Sequence, residues 1–129
     1  MKEKIVIIDD DQAITESMQA FLENEGYTVL ALEEAAKAIW LVEQEQPNVV
    51  LLDVFLSGYD GRKIARQLKT MESTRHIPII IMSAHPKAKY TVKQYKANDY
   101  LEKPFNGEVL LEKIEKSMQQ KFNLFNFFS

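Results

Sequence analysis

The chain has 129 residues, 46% of them apolar, no cysteine and a formal net charge of −3. That size fits one domain with a single core, and the missing cysteines exclude a disulfide framework, a thiol nucleophile and cysteine-based metal sites. The charge is too mild to signal a nucleic-acid partner, and no apolar run nears the ~20 residues of a membrane span.

Strand-like and helix-like segments then alternate five times. Ile5-Val6-Ile7-Ile8 is the apolar run of a first strand, about Lys4 to Asp9, and it closes in Asp9-Asp10-Asp11. Ile14, Met18, Phe21 and Leu22 recur on one helical face, and Gly26 supplies the stop. Tyr27 to Ala31 is a short second strand. Ala35, Ile39 and Val42 mark a second helix that ends before Pro47, with Trp40 half exposed on it. Val49-Val50-Leu51-Leu52 closes in Asp53 and makes the third strand. After Gly61, Ile64, Leu68 and Met71 stripe a third helix. Ile77 to Met82 is a fourth strand, with Pro78 near its start, where proline is tolerated. Ala88, Val92 and Tyr95 give a weaker stripe for a fourth helix. Asp99 to Leu101 is a brief fifth strand, and Asn106 is placed to cap a last helix carrying Leu111, Ile114 and Met118.

Such alternation predicts an α/β fold, a parallel sheet with helices on both faces. Right-handed crossovers put the carboxyl end of every strand on one edge. Asp9 to Asp11, Asp53 and Ser83 all fall on that edge. Carboxylates crowded in one pocket oppose each other's ionisation, and a hard cation with oxygen ligands relieves the conflict. Mg²⁺ suits one or two carboxylates plus a phosphate. Asp53 could then act as a nucleophile toward a phosphoryl group, with the Ser83 hydroxyl and the Lys103 ammonium as helpers.

Ile8-Asp9-Asp10-Asp11, Leu52-Asp53, Gly58-Tyr59-Asp60-Gly61, Met82-Ser83-Ala84 and Asp99-Tyr100-Leu101-Glu102-Lys103-Pro104-Phe105 together resemble the receiver domain of two-component response regulators. Each motif alone is weak; five in order over nearly the whole chain are specific. The resemblance implies a doubly wound, flavodoxin-like five-stranded sheet of order 2-1-3-4-5 with five helices. It implies a receiver over residues 1–121, followed by an apolar tail over 122–129.

The resemblance also implies roles. Asp53 would be the phosphoacceptor. Asp10 and Asp53 would bind Mg²⁺ through carboxylates, Phe55 through its backbone carbonyl, and Asp9 through water. Ser83 and Lys103 would bond the phosphoryl oxygens. Tyr100 would be an aromatic switch that follows Ser83, and Lys103-Pro104 would be a cis bond. The donor would be a histidine kinase or phosphotransfer protein. The output face, made by the fourth helix, fifth strand and last helix, would meet a downstream protein target. The implied protein is a stand-alone cytoplasmic signalling switch, not an enzyme, with no direct nucleic-acid or membrane partner.

Five features depart from that pattern or lie outside it. Ser57 stands where the family usually has proline. The interval from Ser83 to Lys103 is shorter than is usual, and Lys96 replaces a glycine before Ala97, so the fourth helix is expected to be short, shifted or irregular. Lys87, Lys89, Lys93 and Lys96 make that region basic, as a solvated face or as a docking surface for an acidic partner. Phe122, Phe125, Phe127 and Phe128 make an apolar tail that would pack back on the domain or build a homodimer.

Ordinary roles stand beside these. Asp11 reads mostly as a helix cap, Ser83 could satisfy a strand end, Tyr100 could be a core aromatic, and His85 near the rim reads as a surface residue that could influence access to the phosphate. Three rivals remain on sequence. A haloacid-dehalogenase-type phosphatase would want a second aspartate where Phe55 stands. An FMN carrier would want a hydroxyl-rich first loop where this one is acidic. A non-phosphorylated receiver-like adaptor or scaffold would share the fold without the chemistry.

Overall fold

Short runs of valine, isoleucine and leucine pair side by side in a computed structural model, which describes residues 3–85 and 87–128 and, from residue 120 on, the backbone alone. The strands are β1 (Lys4–Ile8), β2 (Thr28–Leu32), β3 (Val49–Asp53), a two-residue pair β4 (Phe55–Leu56) and β5 (Tyr59–Asp60), then β6 (Ile79–Ser83) and β7 (Asp99–Glu102). The helices are α1 (Gln12–Asn24), α2 (Ala38–Glu45), α3 (Gly61–Thr70) and α4 (Gly107–Phe128).

The main sheet has the order β2-β1-β3-β6-β7, and every pairing in it is parallel. Counting only its own strands, this is the expected order 2-1-3-4-5. Strand ends differ from expectation by one or two residues. The largest shift is in the fourth sheet strand, which starts after Pro78; the proline cannot donate, but its carbonyl accepts from Val50 N–H at 2.9 Å.

Alternation along the strands sorts the core into two layers. Ile5, Ile7, Val49, Leu51, Ile80 and Met82 point to one face, where Met18 and Leu22 of α1 and Leu110 and Ile114 of α4 cover them. Val6, Ile8, Val50, Leu52, Ile79 and Ile81 point to the other, under Ala38 and Val42 of α2 and Ile64, Ala65 and Leu68 of α3. β1 after Lys4, β3 and β6 are buried throughout, as sheets covered on both faces require.

The predicted helix signals act where expected. Asp11 caps α1, its Oδ1 accepting from Ile14 N–H. Asn106 caps α4 through Val109 N–H at 2.9 Å. Gly26 follows α1 at φ +101, a conformation that L side chains rarely adopt. Trp40 is 60% exposed on α2.

The expectation of five helices is corrected. Where the fourth was expected, the structure has a single 3₁₀ turn, Ala88–Thr91, followed by irregular turns. Of the three apolar anchors there, only Ala88 is buried, while Val92 and Tyr95 are half covered. Ala is too small to hold a helix against the sheet, and four lysines with no acidic partner among the described residues add no ion-pair support. The segment ends with Lys96 at φ 61, in the left-handed region where glycine is at ease.

The backbone of α4 runs on through the phenylalanine-rich stretch to Phe128. The tail's packing, on the domain or on a second copy, lies outside the described residues, as does Ser129. No helix among the described residues is long and apolar enough to cross a membrane.

Candidate functional site

β1 and β3 are adjacent in the sheet, with Ile8 level with Leu52, so the residues after them share one rim. Asp9 is fully buried and Asp53 is 8% exposed, while Asp10 faces solvent. One carboxylate oxygen from each lies within 4.8 Å of the others. The strand ends place them, and a glycine completes the approach. Gly61 at the start of α3 donates to Val54 O at 2.7 Å, and any side chain at Gly61 would collide with the Asp53 carbonyl.

Lys103 reaches this cluster from the end of β7. Its Nζ lies 2.8 Å from Asp9 Oδ2 and 3.5 Å from Asp53 Oδ1. Lys103 N–H also donates to Ser83 O at 2.8 Å, which sets the lysine backbone beside the end of β6. The following Lys103-Pro104 bond is cis, as expected. Asp9 Oδ1 accepts from Asp11 N–H at 3.0 Å, so both Asp9 oxygens are engaged.

Burial and the neighbouring Asp9 charge push the Asp53 pKa up to about 6, against the pull of Lys103. Burial opposes the charge on Lys103, but its bond to Asp9 and the charges of Asp53 and Asp9 outweigh it and raise its pKa. Three carboxylates against one ammonium leave an uncompensated negative pocket. Its side-chain donors are oxygens, so the set Asp9, Asp10 and Asp53 has the chemistry to hold a hard divalent cation such as Mg²⁺.

Ser83 is 2% exposed at the end of β6. Its Oγ accepts from His85 N–H at 2.9 Å, which leaves the hydroxyl hydrogen free to donate. Tyr100 is half buried against the α2–α3 side of the core, with Lys113 Nζ 5.1 Å from its ring centre. Phe55 opens the small hairpin two residues after Asp53, and its side chain is 62% exposed.

Residues 5–115 match the response regulator receiver domain. The chain belongs to that family.

Solved receivers share its fold closely. A structure described as a response regulator from Chloroflexus aurantiacus is 26% identical with a TM-score of 0.87, over 92% of this chain and 99% of that one. A CheY-like receiver domain protein from Methanospirillum hungatei is also 26% identical with a TM-score of 0.87, over 95% and 98%. The receiver domain of a sensor histidine kinase from Pseudomonas aeruginosa has a TM-score of 0.83 at 24% identity, over 92% and 99%, and its structure carries a magnesium ion in the active-site cleft.

Set in a receiver, the remaining contacts divide into those the sequence signalled and those it did not. Asp9, Asp10, Asp53, Ser83 and Lys103 gather on the carboxyl edge of the sheet; Tyr100 stands on β7, away from the acids. Sequence reasoning noted Ser57 only as a departure, yet its N–H and hydroxyl both donate to Asp10 Oδ2, at 2.9 and 2.8 Å. Those two bonds hold the Asp10 carboxyl below the usual carboxylate range.

The His85 ring lies tilted beside Phe55, ring centres 6.4 Å apart, at a cleft of about 300 Å³ lined also by Val54, Arg62, Ser83 and Thr91. Arg62 spans from Asp60, with Nε 3.0 Å and Nη2 2.9 Å from its two carboxylate oxygens, to the face of Tyr95 at 5.3 Å. The only sequence signal for these was a set of polar and aromatic residues flanking the two rim loops.

Proposed function

We propose that this receiver is a phosphorylation-dependent switch in which Asp53 takes a phosphoryl group from a histidine kinase or phosphotransfer protein. The observation that supports this most is the meeting of Asp9, Asp10, Asp53 and Lys103 on one sheet edge. An Asp53 carboxylate oxygen would form the new bond to phosphorus as the bond from phosphorus to the donor's imidazole nitrogen breaks, and that nitrogen keeps the electron pair. With a small acyl phosphate, the bond that breaks is to the acyl oxygen.

A magnesium ion would neutralise charge on the phosphoryl oxygens, held by Asp10, Asp53 and the Phe55 carbonyl and reached by Asp9 through water. Lys103 already stands beside Asp53 and supplies a compact cation for one phosphoryl oxygen. Ser83 supplies the hydroxyl hydrogen that its bond from His85 leaves free. The magnesium-bearing Pseudomonas receiver of the same fold supports the metal reading.

Drawing Lys103 and Ser83 toward a new phosphoryl group would shift the population of the surface around Tyr100, β7 and α4. A downstream protein would read that surface. The experiment is labelling with radioactive acetyl phosphate in the presence of Mg²⁺. Wild-type protein is expected to take up acid-stable, base-labile label, and Asp53→Asn to take up less than about a hundredth of it. Equal labelling of the variant would overturn the assignment.

The irregular segment that replaces the fourth helix supports a second reading, an adaptor that binds partners without phosphorylation. A wild-type protein that neither binds Mg²⁺ nor takes label would favour it.

A further inference from the structure

Asp9 is fixed by Lys103 and by Asp11 N–H, and Asp53 by its strand and Lys103. Asp10 is the exposed member of the three, on a loop, with no strand pairing of its own. Ser57 makes up for this. It lies in the turn between β4 and β5, across from the β1–α1 loop, and sends two hydrogen bonds to one oxygen of Asp10. Among the described residues these are the only hydrogen bonds from another residue to the Asp10 side chain.

We propose that Ser57 is a positioning residue for magnesium binding, clamping Asp10 so that its second carboxylate oxygen faces the cluster. The proposal rests on the reading of Asp10 as a metal ligand. Two donors on Oδ2 leave Oδ1 for a cation, and single-oxygen ligation is how Mg²⁺ commonly takes a carboxylate. A ligand already oriented gives up less freedom on binding, and outer-sphere bonds of this kind commonly govern 10- to 100-fold in metal affinity. The clamp also spans the cleft, tying the loop after β1 to the loop after β3 from which the Phe55 carbonyl would act. A proline at position 57 could make neither bond.

The test is calorimetric titration of metal-free protein with MgCl₂. Ser57→Ala keeps the backbone donor and is expected to weaken Mg²⁺ binding by about 3- to 10-fold; Ser57→Pro removes both donors and is expected to weaken it by about 10- to 100-fold. Ser57→Thr, which restores a hydroxyl, is expected to return to within about 3-fold of wild type. In acetyl phosphate labelling, the Mg²⁺ concentration for half-maximal rate should rise in Ser57→Ala while the rate at saturating Mg²⁺ recovers.

Unchanged or tighter Mg²⁺ binding in Ser57→Ala would overturn the positioning role while leaving the proposed function standing, and this variant decides alone if the proline variant does not fold. A wild-type protein that binds no Mg²⁺ would remove the metal reading and this proposal together.

Discussion

Asp53 closes a strand whose five residues are all buried, and its neighbours on the rim are tied by Lys103, Ser57 and the Asp11 amide. The described residues of 84–98, between β6 and β7, have one buried apolar anchor, a single 3₁₀ turn and a lysine in a left-handed conformation. Both regions border Ser83, yet one is set by the sheet and the other by Ala88, the contact of Arg62 with Tyr95 and its two ends. Under the proposed function, the difference would divide the physical tasks. Chemistry needs carboxylates placed to fractions of an ångström, and strand ends supply that. A readout needs a part that a modest change in interaction can shift, and an element with few buried contacts supplies that.

If this contrast is right, substitutions on the rim should cost far more than substitutions in the irregular segment. The largest effect is expected from Lys103→Ala. It would leave Asp9 and Asp53 facing each other without their cation, which costs on the order of 3 kcal/mol when a buried pair is broken. The loss should be greatest at pH 7.5 and smaller at pH 5, where Asp53 takes up a proton. Urea denaturation at the two pH values checks this, and equal losses at both would break the electrostatic account of the rim.

A smaller effect, of opposite sign, is expected from Asp53→Asn in metal-free protein. The Asp53 pKa is raised to about 6 in the folded state, so its protonated form is favoured there. The corresponding stability is complete below the unfolded value near 4 and is lost as pH rises through about 6. An uncharged amide should therefore stabilise the protein at pH 7.5 by on the order of 1–2 kcal/mol, and do little at pH 4. Thermal melts in EDTA measure it, and a destabilised variant at pH 7.5 would mean that the Lys103 attraction dominates.

The smallest effect is expected in the irregular segment. Lys96→Gly would relieve the φ of 61 and stabilise by about 0.5–1 kcal/mol, despite the extra freedom of the unfolded chain. A loss above ~1 kcal/mol in the same urea assay would show that Lys96 makes a contact the segment depends on, and would blur the contrast between the regions.

Most of the fold was legible because aliphatic runs that end in acids carry two messages at once. Val49 to Leu52 signals a buried strand, and Asp53 marks which end reaches solvent. Ile5 to Ile8 closing in Asp9 and Asp10 carries the same two messages, and Lys103 shares the rim because it follows the fifth sheet strand. The hairpin of Phe55–Leu56 with Tyr59–Asp60 was not seen, because strands of two residues carry no periodicity. The Ser57–Asp10 clamp joins loops 47 positions apart, and no local pattern encodes such a contact.

The fourth helix was expected from Ala88, Val92 and Tyr95, spaced for a helical face. Spacing alone did not report that alanine offers the sheet too little to hold, or that among the described residues no acid answers the four lysines. Its weakness was nonetheless foreshadowed by the short Ser83-to-Lys103 interval and by a lysine where the family usually has glycine.

Locating the transferred phosphoryl group tests the central claim most directly. Protein incubated with acetyl phosphate and Mg²⁺, reduced with borohydride to trap the acyl phosphate and digested, can be mapped by mass spectrometry. The account predicts that Asp53, and neither Asp9 nor Asp10, is the residue modified. Modification confined to another residue, or none with Mg²⁺ at saturation, would contradict it.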